Sequence, residues 1–154
     1  MLSPILSDSK TINYYTMEGY DFDFEMSVRD YELDTQGVVN NSVYQNYLEH
    51  ARHQFLKAMG VNFNEMHANG VDAVVHKITL EYKHPLVGDD VFVVRSRIRR
   101  KGHVRYIFEQ DIYRLPDDEL MLTGIVTTVF MNDGRPIRPP EDVVQALEAF
   151  RQSV

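Results

Sequence analysis

The clearest pattern is an alternation near the start of the chain. Tyr20, Phe22, Phe24, Met26 and Val28 fall on one face, with Asp21, Asp23, Glu25 and Ser27 on the other. Period-two alternation of this kind predicts a half-buried strand. The spacing then changes. From Ser42 to Met59, Tyr44, Tyr47, Leu48, Ala51, Phe55 and Met59 recur every three or four residues, which predicts a long amphipathic helix. Asn40 or Asn41 is suited to cap its start and Gly60 to end it. A short helical turn is expected over Asn64–Ala68, closed by Gly70.

Four more strands follow by the same reasoning: Val74–Tyr82, Val91–Arg99, Val104–Arg114 and Leu120–Met131. His76, Ile78, Leu80 and Tyr82 share one face of the first. The connections carry turn chemistry: His84–Asp90, Lys101-Gly102, Pro116-Asp117-Asp118 and Asn132-Asp133-Gly134. Pro139 and Pro140 introduce a final helix bearing Val143, Val144, Leu147 and Phe150. Strand, long helix, four strands, helix predicts an α+β unit, with an antiparallel sheet packed on the helix. Residues 1–19 read as a loosely held arm and 20–154 as a single domain, for which 154 residues supply one core.

Composition narrows the chemistry. There are no cysteines, which excludes disulfides, thiolate nucleophiles and Cys-based zinc sites. No apolar run reaches the roughly 20 residues that span a bilayer, and the first residues lack signal-peptide character. A cytoplasmic location is the expectation, with no membrane span. The net charge of −7 argues against general nucleic-acid binding. Six of the 16 Lys and Arg residues nevertheless lie within residues 95–105, and no acid occurs between Val91 and Phe108. An acidic chain with one concentrated basic patch suggests a local anionic ligand. Arg95, Arg97 and Arg99 share one strand face, and Arg100 and Lys101 enter the turn. The patch reads either as a solvated outer sheet face or as a phosphate-binding rim. His50 and His53 lack a His-Glu-x-x-His context, so neither a metal nor a cofactor is expected.

The segment Arg29–Arg52 concentrates the candidate chemistry. Asp34 precedes a turn glycine, Gly37, then Val38 and Val39, then Asn40 and Asn41 at the mouth of the long helix. A helix N-terminus exposes unpaired N–H groups and partial positive charge, which polarise a carbonyl oxygen. A carboxylate beside it can attack that carbonyl or activate water. Two readings of Asp34 remain: a turn former, or the acid of a reaction. Asn41 can cap the helix, offer its N–H to an oxyanion, or both. Glu49 and Arg52 read as a structural pair on adjacent helical turns, or as an interface contact.

The motif Asp34-x-x-Gly37-Val38-Val39-x-Asn41, followed by Tyr44, Tyr47 and Glu49-x-x-Arg52, resembles the 4-hydroxybenzoyl-CoA thioesterase-like branch of the hotdog-fold thioesterases. So do Ile78-x-Leu80-x-Tyr82, Pro85 and Gly88-Asp89 downstream. The wording around Asp34 is most similar to short acyl-ACP thioesterases of plastids and their bacterial relatives. The resemblance implies a hotdog fold, in which an antiparallel sheet wraps one long helix. It also implies hydrolysis of acyl-ACP or acyl-CoA, in a homodimer or homotetramer. By resemblance, Asp34 acts as nucleophile or general base and the backbone N–H of Asn41 polarises the thioester carbonyl. Gly37, Val38 and Tyr44 border the substrate, while Arg99, Arg100 and Lys101 hold the phosphates of coenzyme A or of a carrier protein's arm. Some bacterial relatives carry His at the position of Asn41, so only the backbone role transfers. A hotdog module that binds acyl groups or assembles with partners, without catalysis, is the alternative, and it would have no need for the acid at Asp34.

Overall fold

A computed structural model of the chain describes residues 19–153. The expected amino-terminal arm lies almost wholly outside these residues. Six strands and three helices follow in the order β1 (Phe22–Ser27), α1 (Val43–Ala58), α2 (Phe63–Ala68), β2 (Val71–Tyr82), β3 (Val91–Lys101), β4 (Arg105–Leu115), β5 (Glu119–Asn132), β6 (Arg135–Ile137) and α3 (Glu141–Gln152). A single 3-10 turn, Asp30–Glu32, links β1 to the Asp34 loop. The sheet is antiparallel, in the order β1-β3-β4-β5-β2, with β6 paired to the end of β5. Turn-linked strands β3, β4 and β5 form a central meander, and the two strands made earliest in the chain flank it.

The sheet curves around α1. The helical stripe read from the sequence is the buried one: Tyr44, Tyr47, Leu48, Ala51 and Phe55 all lie inside. Their partners are the inward residues of the sheet, such as Phe92, Val94, Ile112 and Leu122 near the start of α1. Near its end they are Ile98, Phe108, Val126 and Phe130. α3 lays Val143, Leu147 and Phe150 over this second cluster. One glycine sets the helix–sheet distance: a Cβ on Gly124 would stand 2.8 Å from Leu48 Cδ1 and 3.2 Å from the Gln110 carbonyl oxygen.

Three local expectations change. β2 starts at Val71, and its register against β5 shifts between Val75 and Lys77. His76 is therefore a bulge residue and not part of the inward face, since an extra residue in one strand reverses the alternation. Arg95 does share a face with Arg97 and Arg99, yet it is 1% exposed, beside Asp23 at 3.6 Å and Asp118 at 2.9 Å, with its guanidinium over the Tyr113 ring. The short strand β6 extends the chain after Gly134 where the sequence suggested only a turn. Among the described residues, no helix is long and apolar enough to cross a membrane.

Candidate active site

The Asp34 loop is a small hairpin built across the mouth of α1. Asn40 N–H donates to the Glu32 carbonyl at 3.0 Å, Leu33 bridges Val39, and Asp34 N–H donates to the Val38 carbonyl at 2.8 Å. Gly37 closes the turn at φ +79°, the left-handed region that glycine adopts without strain. The Asp34 carboxylate caps the same turn: its Oδ1 accepts from Gln36 N–H at 2.8 Å and Val38 N–H at 3.3 Å. The turn-forming reading of Asp34 is thus realised, through one carboxylate oxygen. The side chain is exposed, and Oδ2 stays outside these bonds.

Two tyrosines from α1 hold the hairpin. Tyr47 OH donates to Glu32 Oε1 at 2.8 Å, and that oxygen also accepts from Arg29 N–H at 2.7 Å. Tyr44 OH accepts from Leu86 N–H at 3.0 Å, while the Leu86 carbonyl accepts from Val39 N–H at 2.9 Å. Burial pushes both phenols above their usual range, that of Tyr47 further because it donates to the Glu32 carboxylate. Tyr44 therefore sits in the core and positions the loop through Leu86. Val38 is half-buried and bridges Val87, and Gly37 is exposed at the loop tip.

At the helix mouth the two asparagines divide the work. Ser42 is the N-cap of α1, without a side-chain cap bond, and Asn40 Oδ1 holds that residue by accepting from both Ser42 N–H and Ser42 Oγ at 3.2 Å. Asn41 accepts a bond from Tyr82 OH on its carbonyl at 3.1 Å. Among the described residues, its own N–H donates to no acceptor. An exposed carboxylate and an undonated N–H at a helix start thus share one hairpin.

The basic turn lies elsewhere. β3 begins at Val91, close to the hairpin through the Leu86–Asp90 connection, and Arg99 stands eight residues further on, roughly 26 Å along the strand. Arg99, Arg100 and Lys101 are exposed there, with Arg99 Nε bonded to Glu109 at 3.0 Å and Arg100 reaching the His103 carbonyl at 3.4 Å. Within one chain the structure does not bring this turn to Asp34.

A buried polar cluster escaped the sequence reading. Arg52 Nη1 donates to Gln110 Oε1 at 3.0 Å, and Gln110 Nε2 donates to the Leu48 carbonyl and to Ser96 Oγ, both at 3.1 Å. Glu49 instead faces His53, at 3.9 Å, so the expected Glu49–Arg52 pair is not formed. The signal was phase. Gln110 falls between inward Phe108 and Ile112, Ser96 between Val94 and Ile98, and Arg52 between Leu48 and Phe55. Among the described residues no three His, Asp or Glu side chains cluster as metal ligands.

Comparison with known proteins adds three findings. Residues 28–147 match the model of the thioesterase-like superfamily. Two chloroplastic acyl-acyl carrier protein thioesterases of Arabidopsis thaliana, ATL2 and ATL3, are 43% and 40% identical over 122 and 120 residues, covering 79% and 77% of this chain. The aligned region spans 65% and 63% of those two relatives, just under two thirds. The long-chain acyl-CoA thioesterase FadM of Escherichia coli is 30% identical over 68% of this chain and 79% of its own length. Among solved structures, a hypothetical protein from Aquifex aeolicus superposes with a TM-score of 0.76 at 28% identity, covering 82% of this chain and 98% of that one. A Thermus thermophilus thioesterase complexed with coenzyme A and Zn gives 0.75 at 25%, covering 88% and 98%. The curled antiparallel sheet around one helix is the hotdog fold.

Proposed function

This chain belongs to the thioesterase-like superfamily, and we propose that it hydrolyses acyl thioesters at the Asp34 hairpin. The Asp34 carboxylate removes a proton from water, or attacks directly, while the Asn41 N–H and the helix start take the negative charge that develops on the carbonyl oxygen. Collapse of the tetrahedral intermediate releases a thiolate, a good leaving group near neutral pH, so no strong general acid is required; after direct attack the acyl–Asp34 anhydride is then opened by water. The products are a free acid and a thiol. The observation that carries this reading is the pairing, on one rigid hairpin, of an exposed carboxylate with an undonated helix-start N–H. A module that only bound acyl groups would not need the acid.

Acyl carrier protein is the proposed carrier. The plant relatives act on acyl-ACP by name, and the turn carrying Arg99, Arg100 and Lys101 offers an acidic carrier a local positive landing on a net-negative protein. At roughly 26 Å from the hairpin end of β3, this turn serves the far end of a long arm, or the hairpin of a second subunit. A homodimer is the proposed minimum unit. Among the described residues β2 pairs only with β5, which leaves its other edge unpaired beside exposed Val74 and Val75, 45% and 41% accessible.

The test is free-thiol release from matched acyl-ACP and acyl-CoA. Asp34→Asn keeps size and loop geometry but removes the carboxylate, and should lower turnover on the order of 100-fold or more. Near-normal turnover in a folded variant would move the chemistry away from this loop. An equal or higher kcat/KM for acyl-CoA at low salt would reject the carrier-protein preference alone.

A further inference from the structure

A cavity of about 350 Å³ lies between the second half of α1, α2 and the start of β2, remote from the Asp34 hairpin. This is within the range of small-ligand sites. Its walls are mainly apolar, with Leu56, Phe63, Phe108 and Phe130 among them, and Glu49 and Asp72 also line it, each beside a histidine, His53 at 3.9 Å and His67 at 2.7 Å. Arg52 stands in this wall. It follows Asn41 by eleven residues, about 16 Å along the helix axis, so it cannot share a small ligand with the catalytic hairpin.

Arg52 is 6% exposed and, among the described residues, makes one hydrogen bond, from Nη1 to Gln110 Oε1. Gln110 cannot turn its amide to suit another partner, because Nε2 already serves Leu48 and Ser96. The guanidinium is therefore fixed in orientation. None of the Arg52 nitrogens is among the sealed, unpartnered atoms of the described residues, so its remaining N–H groups open onto the cavity. No carboxylate lies within 4.0 Å of it among those residues. Burial opposes its charge, and Glu49, on the same cavity wall but not in contact, offsets part of that cost. A buried cation held in place with no carboxylate in contact, facing a mainly apolar chamber, can receive an anion on an apolar tail.

We propose that this cavity binds a free alkanoic acid, its carboxylate on Arg52 and its chain against Leu56, Phe63 and Phe130. The site stands on Arg52 and the cavity alone; only the source of the ligand, as the acid released by hydrolysis, rests on the function proposed above.

The experiment is calorimetric titration of the full chain with octanoate and with octan-1-ol. Octanoate should bind at least tenfold more tightly, since a charge-assisted bond is worth that much. Arg52→Met should remove the preference and keep alcohol binding. Gln110→Glu, which places a carboxylate on the guanidinium and guards against a folding failure of the first variant, should likewise abolish octanoate binding. Asp34→Asn should leave the octanoate Kd within twofold. Equal affinity for acid and alcohol in the wild type, no octanoate binding at millimolar concentration, or a preference that survives Arg52→Met would overturn the site. Loss of octanoate binding in Asp34→Asn would also overturn it, by placing the acid at the hairpin. None of these results depends on whether the protein hydrolyses thioesters.

Discussion

Replacing Gln110 with Leu tests whether the polar cluster beneath α1 holds the fold together. The two side chains are close in volume, so packing changes little. Three hydrogen bonds vanish: two neutral ones, from Nε2 to the Leu48 carbonyl and Ser96 Oγ, and one accepted from the Arg52 guanidinium. Neutral bonds contribute about 1 kcal/mol each and a charged one about 2 kcal/mol. Gln110 is fully buried, so the groups left behind on the Leu48 and Ser96 side cannot recover water. On the Arg52 side the cavity admits some, which holds the total to about 3–4 kcal/mol, within the range for stripping a buried charge of its partner. For a domain of this size that is a fall in Tm of roughly 10 °C. The assay is thermal and urea unfolding at fixed protein concentration, because any assembly of subunits makes Tm concentration-dependent. Arg52→Met in the same background then closes a double-mutant cycle. Removing the charge together with its acceptor should recover about 2 kcal/mol of the loss. If Gln110→Leu unfolds within 1 kcal/mol of the wild type (about 3 °C in Tm), the cluster contributes nothing net and the reasoning fails.

Gly124→Ala should destabilise by about 1–2 kcal/mol, since overpacking against Leu48 outweighs the backbone entropy that alanine saves; equal or higher stability by urea unfolding would refute the claimed close approach. Burial pushes the Asp23 carboxyl up to about 6 despite the pull of Arg95, so the folded state holds this proton more tightly than the unfolded chain, whose Asp titrates near 4. Its contribution to stability is therefore complete below about pH 4 and is lost as pH rises through about 6. Asp23→Asn should flatten the wild-type decline between those values, and parallel stability–pH curves for the two proteins would contradict this. Neutralising Arg99, Arg100 and Lys101 together should raise KM for acyl-ACP while leaving kcat within a few-fold, and the wild-type KM should itself rise with salt. An unchanged KM would leave the turn as a solvated sheet end.

Much of this was legible in the chain, and the gaps have physical causes. Tyr44, Tyr47, Leu48, Ala51 and Phe55 declare the buried face of α1 because a helix writes its burial at a fixed local spacing. The Asp34–Asn41 hairpin is likewise local, so its turn glycine could be read directly. What the sequence does not state is which distant group meets which. Arg52 and Gln110 are 58 positions apart, and each is an ordinary polar residue until the strand and helix phases are laid together. Alternation places Arg95 on the correct face, but burial of that position depends on Asp23, Tyr113 and Asp118 arriving from three other segments. His76 departs from the pattern for a different reason: a bulge cancels the alternation that gives its direction, and nothing in the residue itself marks the bulge.

The strand order has a consequence for how the protein is made. The ribosome releases the chain from its amino terminus, yet β1 finds its partner only when β3 appears, and β2 waits for β5, with Val71 paired to Asn132. The meander that both must join is synthesised after them. Until then α1 has no sheet to lie in, and the two early strands emerge with their apolar faces open to any neighbouring nascent chain. The first half of this polypeptide therefore depends on its second half for a folded state, and the interval between them, set by translation speed, is when the chain is most in need of a chaperone.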